Sequence, residues 1–343
     1  MTRHGPRRRV LFRACTGLTL VLSLTACVGG RVDTDVRSDE VFGPDDTLFQ
    51  FAHVYDAQHP VETCGVPTIQ ESLSGSGVNI ESYPAAQLGS EAETLEQIAL
   101  GGLDLAVAGP SFLGVWHEPA ALLDSAYLLE DVDHFLAAVE SPEVTDIHQG
   151  MYEETGIREL STWYYGTRHL TSDAAVRTPE DLDGLKVRTP DAPLYLTNIA
   201  AMGGTATPMA LDELYMALQQ GTLDAQENPV PTIESSKLHE VQRYVNLTGH
   251  IVQAVHVVTH DGVYATLDDD QRVRFDAAME HGADAVRACI VEQETEALER
   301  WEQDGSITVN RDVDREAFAD RVRERLPDQV PWGELYLTIQ EGT

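Results

Sequence analysis

The chain has 343 residues, 23 basic side chains against 57 acidic ones, and a formal charge of −34. A charge that negative repels polyanions and excludes a nucleic-acid partner. It says little about a small ligand, because the carboxylates are spread along the whole chain as a solvated surface. Lysine occurs only at Lys186 and Lys237, so a buried cation is expected to be a guanidinium.

Arg3, Arg7, Arg8, Arg9 and Arg13 precede an apolar stretch over 14–24, the pattern of an export signal. That stretch falls short of the roughly 20 apolar residues a membrane-spanning helix needs. It ends in Leu24-Thr25-Ala26-Cys27, where small residues suit a lipoprotein peptidase and the Cys27 thiol can carry a lipid. The expected layout is a signal peptide over 1–26, then lipidated Cys27 and an acidic linker over 27–46. Arg8-Arg9-Val10-Leu11-Phe12 also resembles a twin-arginine signal, which leaves the export route open. Cleavage would remove five arginines and no acid, leaving 18 basic against 57 acidic residues, a charge of −39.

The roughly 315 residues that remain exceed a usual single core and predict two lobes. With Cys15 removed and Cys27 lipidated, Cys64 and Cys289 are left outside the cell, as a disulfide or as a reactive thiol. Strands are predicted over 48–54, 78–83 and 103–108, alternating with helices over 66–73 and 91–100; this order predicts an α/β lobe with a largely parallel sheet. A second set begins near Gly166. Thr178 should cap a helix with Pro179 in its first turn. A strand over 185–188 and helices over 195–202 and 212–220 follow, the helices ended by Gly203-Gly204 and Gly221. The β-branched run over 247–260 suits a strand passing between lobes, and helices fill 271–300 and 315–326.

No nucleophile elbow, phosphate-cradling glycine loop or zinc helix of the His-Glu-x-x-His kind occurs; His117-Glu118 and His239-Glu240 lack the second histidine. Catalytic residues, a metal and a cofactor are therefore not expected. Glu130-Asp131-Val132-Asp133-His134 lacks a calcium-loop spacing and reads as a solvated helix start.

Five blocks in order are more specific. They are Gly166-Thr167-Arg168-His169-Leu170-Thr171, the run from Thr178-Pro179-Glu180-Asp181 to Leu185-Lys186-Val187-Arg188-Thr189-Pro190, Thr207-Pro208-Met209, Asp224-Ala225-Gln226-Glu227-Asn228-Pro229, and Leu247-Thr248-Gly249-His250. Together with Tyr83-Pro84-Ala85-Ala86-Gln87-Leu88-Gly89 and Gly102-Leu103-Asp104-Leu105, they resemble the DctP-type solute-binding proteins of tripartite ATP-independent periplasmic (TRAP) transporters. The resemblance covers roughly 47–340.

This resemblance implies an α/β, two-lobed periplasmic-binding-protein-like fold, each lobe a sheet flanked by helices, joined by crossing strands and a long hinge helix. Lobe I would comprise 47–165 plus 254–293, and lobe II 166–253 plus 294–343. It implies capture of a small organic acid, a sugar acid or dicarboxylate, for the small and large integral-membrane TRAP subunits, outside the cytoplasmic membrane and tethered to its outer face through the lipid. Arg188 matches the arginine that clamps the ligand carboxylate, a planar fork of donors that pairs both oxygens at once. Arg168 matches a second cleft arginine, and Asn228 the amide that braces the clamp and reaches the ligand. Glu91 falls either on the ligand or on a solvated helix start. Leu211 stands where an aromatic is common, and Asp191 where an acid favours a hydroxyl-bearing solute over a second carboxylate. Gly109-Pro110 departs from the acidic residue of sialic acid binders and counts against that ligand. Trp163, Tyr164 and Tyr165 either stack on the ligand or pack in the core. A ligand-sensing lipoprotein of the same fold and a secreted hydrolase remain the competing readings.

Overall fold

The computed structural model describes residues 42, 43 and 46–341. The predicted signal peptide, Cys27 and nearly all of the acidic linker lie outside the described residues. Among those described, no helix is long and apolar enough to cross a membrane.

Nine strands form the frame: β1 Thr47–Ala52, β2 Val78–Tyr83, β3 Leu105–Ala108, β4 Ile157–Ser172, β5 Lys186–Thr189, β6 Thr205–Pro208, β7 Ala225–Pro229, β8 Tyr244–His260 and β9 Thr308–Asn310. They are hydrogen-bonded in the order β2-β1-β3-β8-β4-β7-β5-β6, with β9 pairing β8. Within each half the short strands run parallel, β1 with β2 and β3, and β5 with β6 and β7. Helices provide the crossovers that parallel neighbours require. The two long strands β4 and β8 run antiparallel along each other and pass through both halves.

Local chemistry accounts for the elements. β3, wholly buried, reads Leu-Ala-Val-Ala, as befits a strand covered on both faces. Helix Glu91–Ala99 opens on a capping box, in which the Ser90 hydroxyl accepts from the Glu93 N–H and the Glu93 carboxylate accepts from the Ser90 N–H. Helix Pro193–Met202 starts on proline and stops at Gly203, whose φ of 110° is easy only without a side chain. The segment after Thr178 is one 3-10 turn, Pro179–Leu182, in place of the expected α-helix. Asp181 folds back to accept the N–H groups of Arg177 and Thr178, so the turn closes on itself.

β4 had no sequence signal of its own before Gly166, because its first half alternates poorly. The helix start read at Glu130–His134 opens helix Val132–Val139, which Asp131 caps by accepting from the His134 N–H, whereas helix Pro142–Thr155 had no reading from sequence.

Helix Asp269–Asp304 runs for 36 residues against β4 and both halves of the array. Its Gly282 lets it approach closely, since a Cβ there would stand 2.8 Å from Ile69 and 3.1 Å from Trp163. A disulfide joins Cys289 of this helix to Cys64 in the π-helical turn Val61–Gly65, closing a loop of 225 residues. Replacing both cysteines with serine is expected to cost about 2–5 kcal/mol of stability. Urea denaturation of the double variant measures it, with an unchanged midpoint the contrary result.

Candidate functional site

A cleft of about 710 Å³, counting its mouth, opens between the two halves of the array. Its walls include Tyr55, Glu91, Tyr165, Arg168, Arg188, Asp191, Tyr195, Leu211, Asn228 and Gln253. All six residues expected at the ligand therefore line one cavity. They arrive from separate elements: Arg168 from β4, Arg188 from β5, Asn228 from β7, Glu91 and Leu211 as the first residues of two helices, and Asp191 from the loop after β5.

β7 lies between the strands that carry the arginines, with Arg188 opposite Gln226 and Arg168 opposite Pro229. Both arginines are about 2% exposed, yet they differ in company. Arg168 meets both carboxylate oxygens of Glu227, Nε on Oε2 and Nη2 on Oε1 at 2.8 Å. It also donates to the Glu227 carbonyl at 2.6 Å, to Gln253 Oε1 at 2.6 Å and to Asn228 Oδ1 at 3.1 Å. Burial opposes ionisation of Glu227, but Arg168 and a hydrogen bond with His250 outweigh it and hold the carboxyl below its usual range. The same pairing raises Arg168 against the pull of its own burial. This is a closed ion pair in which both carboxylate oxygens are hydrogen-bonded.

Arg188 has no such partner. Its Nε and Nη2 donate to the Met209 carbonyl at 2.9 and 2.6 Å, which fixes the plane of the guanidinium. Nη1 makes no hydrogen bond, and no carboxylate lies within 4 Å of the group, among the described residues. Burial pulls its pKa down to about 10, so it remains a cation at neutral pH. A desolvated cation with unused donors is a receptor for an anion, because an incoming carboxylate repays a desolvation cost already incurred.

Asn228 braces Arg168 rather than Arg188. Its Oδ1 accepts from Arg168 and its Nδ2 donates to Gln226 Oε1 at 2.6 Å. The expectation that it braces Arg188 fails because Arg188 is held by the Met209 backbone carbonyl. Glu91 is both helix start and cleft wall: its Oε1 accepts from the Gly109 N–H at 2.5 Å. Burial pushes its carboxyl up to about 7, against the Gly109 bond, and nearby Asp124 adds to the rise. Asp191 stands exposed at the rim. Leu211 makes the wall aliphatic at its position.

Of the three aromatic residues before Arg168, only Tyr165 reaches the cleft. Its ring lies 4.8 Å from that of Tyr55 and 5.2 Å from that of His59. Trp163 is core, donating to Ser161 at 3.1 Å, and Tyr164 packs on Phe135. Glu227, Gln253, Tyr195, Tyr55 and Asp124 were not identified from sequence as parts of the site. Two of them had a signal: Glu227 puts a charge in a fully buried strand, and Gln253 interrupts an apolar run. Gln253 ties the site together, accepting from Arg168 while donating to Tyr195 and, at 3.3 Å, to Asp124.

The contrast between the arginines predicts opposite costs. Glu227→Ala leaves Arg168 buried and unpaired, and is expected to destabilise the fold by about 3–5 kcal/mol. Thermal unfolding against the native chain is the check, with an unchanged midpoint the contrary result.

The family described as bacterial extracellular solute-binding protein, family 7 (DctP), matches residues 67–329. The sialic acid-binding periplasmic protein SiaP of Vibrio cholerae is 33% identical over 256 residues, 74% of this chain and 80% of that protein. A TRAP periplasmic solute-binding protein from Roseobacter denitrificans, crystallised with L-galactonate, superposes with a TM-score of 0.80 at 28% identity, over 85% of this chain and 98% of that one. A counterpart from a Polaromonas species with D-erythronate gives 0.81 at 28% identity, over 86% and 98%. With its two-lobed α/β frame and a cleft between the halves, the chain belongs to the DctP family of bacterial extracellular solute-binding proteins.

Proposed function

We propose that this protein is the extracytoplasmic receptor of a TRAP transporter, capturing a small organic acid, a sugar acid or dicarboxylate, for import driven by an ion gradient. Arg188 carries the reading: it is buried, oriented by the Met209 carbonyl, and free of any carboxylate partner among the described residues. L-galactonate and D-erythronate, carried by the two similar structures, are both hydroxy acids. No bond need be made or broken. The ligand is held and handed to the small and large integral-membrane subunits.

Closure would turn on three crossings that lie together. Gly166 pairs with Gln253 and Tyr164 with Ala254, at a register shift in β4. Glu294 of the long helix accepts from the Thr167 N–H at 2.8 Å. Gly166 has a φ of 118°, and a Cβ there would stand 2.8 Å from both Glu294 and Pro229. These contacts support a boundary between lobe I, 47–165 plus 254–293, and lobe II, 166–253 plus 294–343. Tightening of that joint over a bound carboxylate would give the closed form that docks on the membrane subunits.

Arg188→Lys replaces a planar fork with a single ammonium. Each charge-assisted hydrogen bond lost is worth about 1.5–3 kcal/mol, so affinity should fall roughly 10- to 100-fold with the unfolding temperature little changed. Calorimetry with an acid that binds the native protein decides it, and equal affinity would refute the clamp.

The proposed lipid on Cys27 would keep the receptor near its transporter through the acidic linker. Changing Cys27 to Ser should move the protein from the membrane fraction to the soluble one without altering ligand affinity. Fractionation and calorimetry of the same variant separate the two properties, and retention at the membrane would count against the anchor.

A further inference from the structure

The charges lining the cleft narrow the ligand further, on the reading that Arg188 receives an organic acid. We propose that the ligand is a hydroxylated monocarboxylate, and that Glu91 selects it against the matching dicarboxylate.

Two guanidinium groups line the cleft, but Glu227 takes both forks of Arg168. Among the described lining residues, that leaves Arg188 as the cation for the ligand. Neither lysine of the chain is among the lining residues. Three carboxylates are: Glu91, Asp191 and Asp212. A ligand with one carboxylate finds Arg188. A second carboxylate on the same ligand would find acids and no further cation without a carboxylate partner among the described lining residues, and like charges brought together out of water are costly.

The remaining polar groups suit hydroxyls. Glu91 is fixed through Oε1 by the Gly109 N–H, while its Oε2 makes no hydrogen bond among the described residues. A carboxyl group can meet a hydroxyl in either protonation state, as acceptor when ionised and as donor when protonated. That tolerance matters for a group that burial has pushed up to about 7. Ser90 and Asn228 add further polar atoms to the wall. Val54, Phe112, Leu211 and Val255 offer apolar surface for the carbon chain of a polyol acid.

The test is calorimetry of the whole mature protein at about pH 8, where Glu91 is largely ionised. The probes are matched six-carbon acids of three configurations, galactonate, gluconate and mannonate against galactarate, glucarate and mannarate. At least one monocarboxylate should bind about 100-fold tighter than its dicarboxylate partner, and Glu91→Gln should narrow that ratio by about tenfold. Equal or tighter binding of the dicarboxylates, lost on Arg188→Lys, would overturn this proposal and leave the organic-acid receptor standing. A ratio unchanged in a folded Glu91→Gln variant would overturn the role of Glu91. Binding of none of the six acids, nor of any acid in a wider panel, would overturn the receptor reading itself and this inference with it.

Discussion

The site depends on the ion pair between Arg168 and Glu227. Two buried guanidinium groups on either side of β7 would repel each other and carry two desolvation costs. Glu227 cancels one of them at hydrogen-bonding distance, and His250, Gln253 and Asn228 satisfy much of what remains. The pair is a poor source of net stability, since a buried ion pair roughly breaks even against apolar packing. Its value lies in specificity. With Arg168 neutralised, Arg188 is the lining cation left without a carboxylate partner among the described residues.

That arrangement sits where the frame can use it. β4 carries Arg168 and β8 carries Gln253, and these are the two strands that pass through both halves of the array. Gln253 bonds to Arg168, to Tyr195 on a helix of the second half, and to Asp124 of the first. Gln253 therefore links the two halves through hydrogen bonds at the cleft wall. The aromatic stack of Tyr55, His59 and Tyr165 adds a rigid floor. Burial holds His59 down to about 3, so the ring stays neutral there and adds no second cation to the cleft.

Much of this was legible in the sequence, and the reasons differ by element. Short strands and capped helices announce themselves locally, as Ser90 and Glu93 do through the capping box and Pro193 with Gly203 at either end of a helix. The arginines and Asn228 could be placed by motif, because their neighbours in sequence are shared with the family. Partnership could not be read. Which arginine is neutralised depends on Glu227 and Gln253, which reach Arg168 from 59 and 85 residues away. The first half of β4 was invisible for a related reason: it is only partly buried at Arg158, Glu159, Leu160 and Thr162 and mixes polar side chains with aromatic residues, so it shows no alternation. Its polar side chains are accounted for only by partners such as Asp261 and His256.

The scale of screening reconciles the acidic composition of the chain with the anionic ligand proposed for it. At physiological ionic strength charges in water are felt over about 8 Å, so most of the chain's formal charge of −34 does not reach the cleft floor. Arg188 lies beneath that surface with about 2% of its area exposed, where the effective dielectric is lower and its attraction for a carboxylate is correspondingly stronger. On the proposed reading, the surface charge governs solubility and the rate of approach, while the buried cation would govern affinity. The acids at the rim, Asp191 and Asp212, stand between these regimes. On that reading they would oppose a second negative group on the ligand while being partly screened themselves, and so discriminate without abolishing entry. Glu91, tied to the Gly109 N–H, would add the less salt-dependent part of that discrimination.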